Sequence, residues 1–282
     1  MSESLLLRVR GLRKVFSVRR AGALGREPFV AVDGVDLSIP AGGAVAVVGE
    51  SGSGKSTCAR MVAGLERPTG GEIHFDGEQW HHGRRSARQR RHRARTVQLV
   101  FQDPYLSLDR RQRVRACLGE CVRLHFAMGK LELAERVSAL LDQVGLDDRQ
   151  ADAYPRALSG GQRQRVAVAR ALAAQPRLLI LDEAVAALDV SIQAQILNLL
   201  ADIRAETGIA LLVISHDLAV VRQISDTVVV MRHGRVVEEG PVDRVLEAPE
   251  HPYTKRLLDS VPRPGWRPRR REFVSQTQET GA

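Results

Sequence analysis

Three short stretches combine residue types whose spacing could do chemistry on a phosphate. The first is Gly49-Glu50-Ser51-Gly52-Ser53-Gly54-Lys55-Ser56-Thr57. It lies between a strand-like apolar run, Ala44–Val48, and a stretch from Lys55 to Ala63 that reads as helix. Glycines let backbone N–H groups turn inward onto phosphate oxygens that a side chain would block. The helix that follows adds about half a positive charge at its N-terminus. Lys55 is placed to reach β- and γ-phosphates, and the Ser56 hydroxyl to ligate Mg²⁺. Alone, this motif says no more than a nucleoside triphosphate.

The second stretch, Leu178-Leu-Ile-Leu181-Asp182-Glu183, ends an apolar strand on two carboxylates. An aspartate at the carboxyl edge of a parallel sheet sits where ligands bind in such sheets. Asp182 can hold the metal there, directly or through water, and Glu183 can polarise an attacking water. The third stretch is Leu158-Ser159-Gly160-Gly161-Gln162. Ser159 is a good N-cap, and the glycines behind it leave backbone N–H groups free at a second helix start. One bound nucleotide needs only one such cradle. The second is therefore expected to serve a nucleotide held by another copy of the domain, in a head-to-tail dimer.

The elements that must position these groups alternate. Val35, Leu37 and Ile39 repeat with period two, Glu72–Phe75 with Asp76-Gly77 reads as a hairpin arm and turn, and Val97–Phe101 is a further apolar strand. From about residue 105 to 160 strand signals fade and helical stretches such as Leu131–Val144 take over. Helix and strand then alternate through Ser159–Ala174, Leu178–Leu181, Ser191–Ala205, Ile209–Ile214 and Thr227–Met231. Continuous apolar strands between amphipathic helices require a parallel sheet covered on both faces. The expected class is α/β: a P-loop NTPase core with a mostly parallel sheet, an N-terminal antiparallel β subdomain and an inserted helical subdomain. The proline- and arginine-rich tail from Pro249 is expected outside the core.

Composition removes several alternatives. The chain has 282 residues, 44% apolar and 27% charged, an ordinary globular mixture. No apolar run approaches the ~20 residues needed to cross a bilayer, and Met1–Arg10 carries no long apolar stretch of the signal-peptide kind. Three cysteines, an odd number, do not form a disulfide framework and favour a cytoplasmic setting. The net charge is +9, but Arg84–Arg95 holds seven arginines and Arg263–Arg271 five. Taking those twelve charges from +9 leaves the remainder at −3. Aromatic residues are only 4%, too few for base stacking. The Arg84–Arg95 run reads as a solvated face, or as contact with anionic headgroups, rather than a nucleic-acid site. Cys58 reads as a packed small residue, Cys117 and Cys121 lack further ligands for a metal, and His81-His82 reads as solvated loop.

P-loop, LSGGQ and the LLILDE strand, in this order, resemble the ATP-binding subunit of an ABC transporter, over nearly the whole chain. The resemblance implies an ABC ATPase domain over 1–247 and a C-terminal extension over 248–282. It implies that Phe16 stacks on adenine, that Gln102 in Val-Phe-Gln-Asp-Pro touches Mg²⁺ or water, that Asp189 communicates between two ATP sites, and that His216 contacts the γ-phosphate. Glu183, His216 and Lys55 would then be catalytic. The P-loop residues Gly49–Thr57, with Phe16, Gln102, Ser159, Gly160, Gly161, Gln162 and Asp189, would bind nucleotide, and Ser56, Gln102 and Asp182 would hold Mg²⁺. Ala184-Val185-Ala186 departs from the family's Pro-Thr-Ser, which puts the turn and communication between sites in question. An arginine- and glycine-containing loop, Ser17–Phe29, and the closing segment Ala248–Leu258 are similar to the oligopeptide, dipeptide and nickel importer branch. The implied role is a peripheral subunit on the cytoplasmic face of the inner membrane. It would drive peptide uptake with a second ATPase chain (self or paralogue), two permease subunits and, indirectly, an external solute-binding protein. A nickel or other small-solute importer of the same branch is the alternative. A soluble ABC ATPase of DNA repair or translation is the alternative class, disfavoured by a single P-loop without coiled coil or zinc module.

Overall fold

The computed structural model describes residues 4–19, 25–80, 86–106 and 108–259. Its elements run β1 (Leu5–Arg19), β2 (Arg26–Pro40), β3 (Ala44–Val48), α1 (Lys55–Ala63), β4 (Gly70–Phe75), β5 (Glu78–Gln79), α2 (Ala87–Thr96) and β6 (Val97–Phe101). There follow α3 (Val114–His125), α4 (Lys130–Gln143), α5 (Asp148–Ala151), α6 (Gly160–Leu172), β7 (Leu178–Asp182), α7 (Val190–Thr207) and β8 (Ala210–Ile214). The last are α8 (Leu218–Ile224), β9 (Thr227–Arg232), β10 (Arg235–Pro241), α9 (Val242–Glu247) and α10 (Pro252–Asp259).

Two sheets carry the fold. One is antiparallel, in the order β2-β1-β4-β5; the other is mixed, in the order β10-β9-β3-β8-β7-β6, and all its pairs but β10–β9 are parallel. Every residue of β3, β7 and β8 is buried, which is why these strands are apolar throughout rather than alternating. In β2 only one face is covered, so Val35, Leu37 and Ile39 are buried while Asp36 between them is exposed. Because β3, β7 and β8 are parallel neighbours, their carboxyl ends, Val48, Asp182 and Ile214, emerge along one edge. That edge receives the P-loop, the Asp182-Glu183 pair and Ser215-His216 together.

The helical insertion lies between β6 and α6. α3 packs on α4, Leu133 and Val137 approaching the open side of Gly119, and Arg115 ties α3 to Asp148 (2.6 Å) and Asp152 (3.3 Å). Two expectations need correction. Ser17–Phe29 is not simply a loop: Ser17, Val18 and Arg19 pair with Pro28, Glu27 and Arg26 as the arms of a long hairpin, its tip outside the described residues. The tail from Pro249 does not lie wholly outside the core, because Tyr253, Thr254 and Leu258 of α10 are buried. The arginine run is largely helix α2, started by a Ser86–Gln89 capping box. Arg84, Arg85, His81, His82 and Arg263–Arg271 lie outside the described residues.

One arginine of that run is structural. Arg93 is 5% exposed, stacks on Trp80 at 4.3 Å, and donates to the Met61 and Val62 carbonyls near the end of α1. Arg93→Ala is expected to lose these contacts and to lower stability by about 2 kcal/mol. A fall in the urea midpoint, with Arg88→Ala on the same helix as an exposed comparison, checks this.

Candidate functional site

The P-loop closes on itself before any ligand enters. Gly49 has φ +149°, and a Cβ there would meet the Met231 carbonyl oxygen; Gly54, at φ +102°, would meet that of Ala31. Only glycine adopts this path so close to neighbouring backbone. Gly54 is also the N-cap of α1, with no side-chain cap of its own, so the first amides of the helix stay available for an anion. Lys55 is 5% exposed, and its Nζ donates to the Gly49 carbonyl (2.8 Å) and the Glu50 carbonyl (2.9 Å). Burial pushes its ammonium below the ordinary lysine value, while the Glu183 and Asp182 carboxylates pull it back up. Ser51 and Gly52 are exposed on the rim and Ser53 is buried beneath it. Thr57 and the partly exposed Ser56 stand in the first turn of α1.

The sheet edge supplies the acidic side. Ser56 Oγ donates to Asp182 Oδ1 at 2.6 Å, and Asp182 is 6% exposed. A hydroxyl and a carboxylate held in contact are hard oxygen donors. They fit Mg²⁺, which takes one or two protein oxygens and fills its shell with water and phosphate. Among the described residues no group of three His, Cys, Asp or Glu could hold a metal. Phe101 pairs with Asp182 across the sheet, which puts the exposed Gln102 one step past that aspartate. Glu183 has left-handed backbone, φ +52°, and its amide donates to the Ile214 carbonyl at 3.0 Å. Non-glycine residues held in this region concentrate at functional sites. His216 Nδ1 stands 3.5 Å from Glu183 Oε1, so two strand ends bring a carboxylate and an imidazole together.

The third motif is built differently from the first. Ser159 caps α6: its Oγ accepts from the Gln162 amide (3.3 Å), and its own amide donates to Gln162 Oε1 (2.8 Å). Gln162 is thereby occupied in the cap, whereas the Ser159 hydroxyl hydrogen stays free to donate. A Cβ on Gly160 would make only ordinary contact with Leu188, at 3.6 Å; one on Gly161 would meet Ile192 of α7 at 2.5 Å. Gly161 is small because α7 packs against it, a cause the motif does not display. Leu188 precedes Asp189, the exposed N-cap of α7, so the Asp189 loop and the LSGGQ turn are packed neighbours. In the Ala184-Val185-Ala186 departure, Ala184 and Val185 are buried and the Ala186 amide donates to the Glu183 carbonyl. The turn therefore closes without the family's proline.

Phe16 lies on β1, half-buried beneath Lys14 Nζ at 4.7 Å. Cys58 is fully buried, which pushes its thiol up to about 12. Cys121 accepts from Arg170 Nε at 3.3 Å, and with Cys117 beside it no further ligand is present among the described residues. Sequence reasoning missed Tyr253, whose Oη accepts the Glu50 amide at 3.0 Å. Its signal was its place in the short His251-Pro252-Tyr253-Thr254 stretch, with nothing to show the direction it faces.

Comparisons with known proteins agree with this geometry. A family model described as ABC transporter matches residues 32–186, and one described as oligopeptide/dipeptide transporter, C-terminal region, matches 237–281. The chain is 46% identical over 276 residues to a glutathione import ATP-binding protein, GsiA, of Pectobacterium atrosepticum, covering 97% of this chain but 44% of that protein's length. It is 44% identical over 257 residues to a di/tripeptide transport ATP-binding protein, DppF, of Pseudomonas aeruginosa, covering 91% and 79%. Among solved structures it resembles the dimeric post-hydrolysis state of the ATP-binding cassette MJ0796 bound to ADP and Pi. That match has a TM-score of 0.74 and 28% identity, over 84% of this chain and 98% of that one.

Proposed function

The chain belongs to the ABC transporter family, and from that premise we propose that it powers an importer of peptides. It is an ATPase, binding ATP and hydrolysing it to ADP and phosphate. One observation carries the cargo class: residues 237–281 match the C-terminal region of oligopeptide and dipeptide transporters, beyond the part every cassette shares.

In this reading the P-loop amides of Gly52–Thr57 take the β- and γ-phosphates, and Lys55 leaves the Gly49 and Glu50 carbonyls to meet them. Phe16 stacks on the adenine. Ser56 and Asp182, with Gln102, would hold a magnesium ion, which would supply charge neutralisation for the phosphates. Glu183 accepts the proton of an attacking water in line with the γ-phosphate, and His216 donates to a γ-oxygen. The Ser159 hydroxyl and the Gly160–Gly161 turn contact the γ-phosphate of ATP bound to a second cassette, self or paralogue. Asp189, packed beside that turn, relays one site's state to the other.

Among the described residues no helix is long and apolar enough to cross a membrane. In this reading transport runs through separate permease subunits, with this chain on their cytoplasmic side and a solute-binding protein outside. A cavity of about 310 Å³ between β6, α3 and α6, lined by Leu65, Phe101, Leu124 and Ala171, suits a short permease helix. Leu65 and Leu124, 63% and 68% exposed, present apolar surface beside it. The test is uptake of labelled dipeptide into vesicles carrying the permease subunits and this cassette. ATP-driven uptake, abolished by EDTA and by excess unlabelled dipeptide, is expected. ATP-driven uptake of nickel but not of dipeptide would overturn the cargo assignment.

A further inference from the structure

The C-terminal segment reaches the nucleotide site through one side chain. Tyr253 opens α10, is 3% exposed, and has the Arg232 guanidinium over its ring at 5.0 Å. The segment leading to it is pinned to β10, where the Glu238 carboxylate accepts the Glu250 amide (2.8 Å) and the His251 amide (3.1 Å). The Tyr253 amide donates to His251 Nδ1 at 3.1 Å. Thus held, Tyr253 Oη accepts the Glu50 N–H at 3.0 Å.

That N–H and the Gly49 carbonyl belong to the same planar peptide unit. Its carbonyl end holds Lys55 Nζ at 2.8 Å while its amide end is held by Tyr253. Gly49, at φ +149°, has no Cβ to restrain that plane, so its orientation depends on what bonds its two ends. Turning the plane away from Tyr253 would also swing the Gly49 carbonyl away from Lys55.

We propose that Tyr253 is a positioning residue of the ATP site: its phenol oxygen fixes the Gly49–Glu50 peptide, and through it the entrance of the P-loop and the resting place of the Lys55 amine. The inference rests on the reading that this P-loop binds ATP. It makes the C-terminal segment part of the nucleotide site rather than an appendage behind it.

Tyr253→Phe in the full chain keeps the ring, its burial and the arginine above it, and removes only the acceptor. ATP is expected to bind about five-fold more weakly, the scale of one lost hydrogen bond. Turnover at saturating ATP should stay within two-fold, so the change falls on KM rather than kcat. An unchanged Kd with a lowered unfolding midpoint would mean a structural role and would overturn the proposal. Lys55→Ala, run in parallel, separates the two levels of the argument: if it too leaves ATP binding intact, the P-loop reading itself fails. Hydrogen exchange of the Glu50 amide in the unaltered chain is a second arm that needs no variant to fold. Protection is expected, and exchange at the rate of a free loop amide would also overturn the assignment.

Discussion

Glu183→Gln is expected to bind ATP as tightly as the parent chain and to hydrolyse it about 10³-fold more slowly, a barrier increase of about 4 kcal/mol. The side chain is half-buried at the sheet edge, one residue past Asp182, and its carboxylate stands 3.5 Å from His216 Nδ1. Glutamine keeps the length and shape of that side chain and can still face the imidazole, but it cannot take a proton from water. Nor does it add backbone strain, because the left-handed conformation at φ +52° is already borne by a residue of the same size. In the proposed site binding depends on Lys55, Ser56 and the loop amides; Glu183 bears on Lys55 through its charge, and Asp182 keeps a pull of the same sign in the variant. Single-turnover phosphate release with a separate ATP titration isolates the two quantities. Parent-like release would remove Glu183 from the role of base, and a matching loss of affinity would mean the site had collapsed instead.

The parts legible in the sequence are those where one local cause decides the outcome. β3, β7 and β8 are buried on both faces, so they are apolar without interruption, and α1 begins where glycine gives way to Lys55. Asp182 and Glu183 could be placed at the sheet edge because a strand that ends in carboxylates must end where water or a ligand begins. What was not legible depends on partners far away in the chain. Ser17–Phe29 has the arginine, glycine and proline of a loop, yet its ends are strands, because a hairpin exposed on both faces has no alternating pattern to display. Arg93 sits among Arg88, Arg90, Arg91 and Arg95, which are exposed, and what distinguishes it is its contact with Trp80 and the end of α1, distant in the chain. Gly161 reads as an anion-binding glycine beside Gly160, although the constraint on it is Ile192, thirty-one residues further along. Tyr253 is two hundred residues from the loop it bonds to, so no local pattern points to the contact.

The contrast between those two adjacent glycines separates contact across a dimer from packing within the chain. Gly160→Glu is expected to leave the isolated fold intact or slightly firmer. A Cβ there would make no more than ordinary contact with Leu188, at 3.6 Å, glycine is a poor helix former, and an acid in the first turn of α6 favours the helix dipole. ATP binding by the dilute monomer should stay within two-fold, because the P-loop is a separate element. Yet with this chain as the sole cassette, turnover should fall by about 10² or more. The new carboxylate would face the γ-phosphate held by the partner and would displace the donors that stabilise it. Gly161→Ala makes the opposite demand: its methyl group would meet Ile192 Cγ2 at 2.5 Å, which should cost roughly 1–3 kcal/mol of stability before any nucleotide is added. Melting curves, monomer ATP titrations and steady-state turnover on both variants read these effects separately. If Gly160→Glu hydrolysed ATP at the parent rate, each chain would complete its own site, and the head-to-tail arrangement would have to be abandoned.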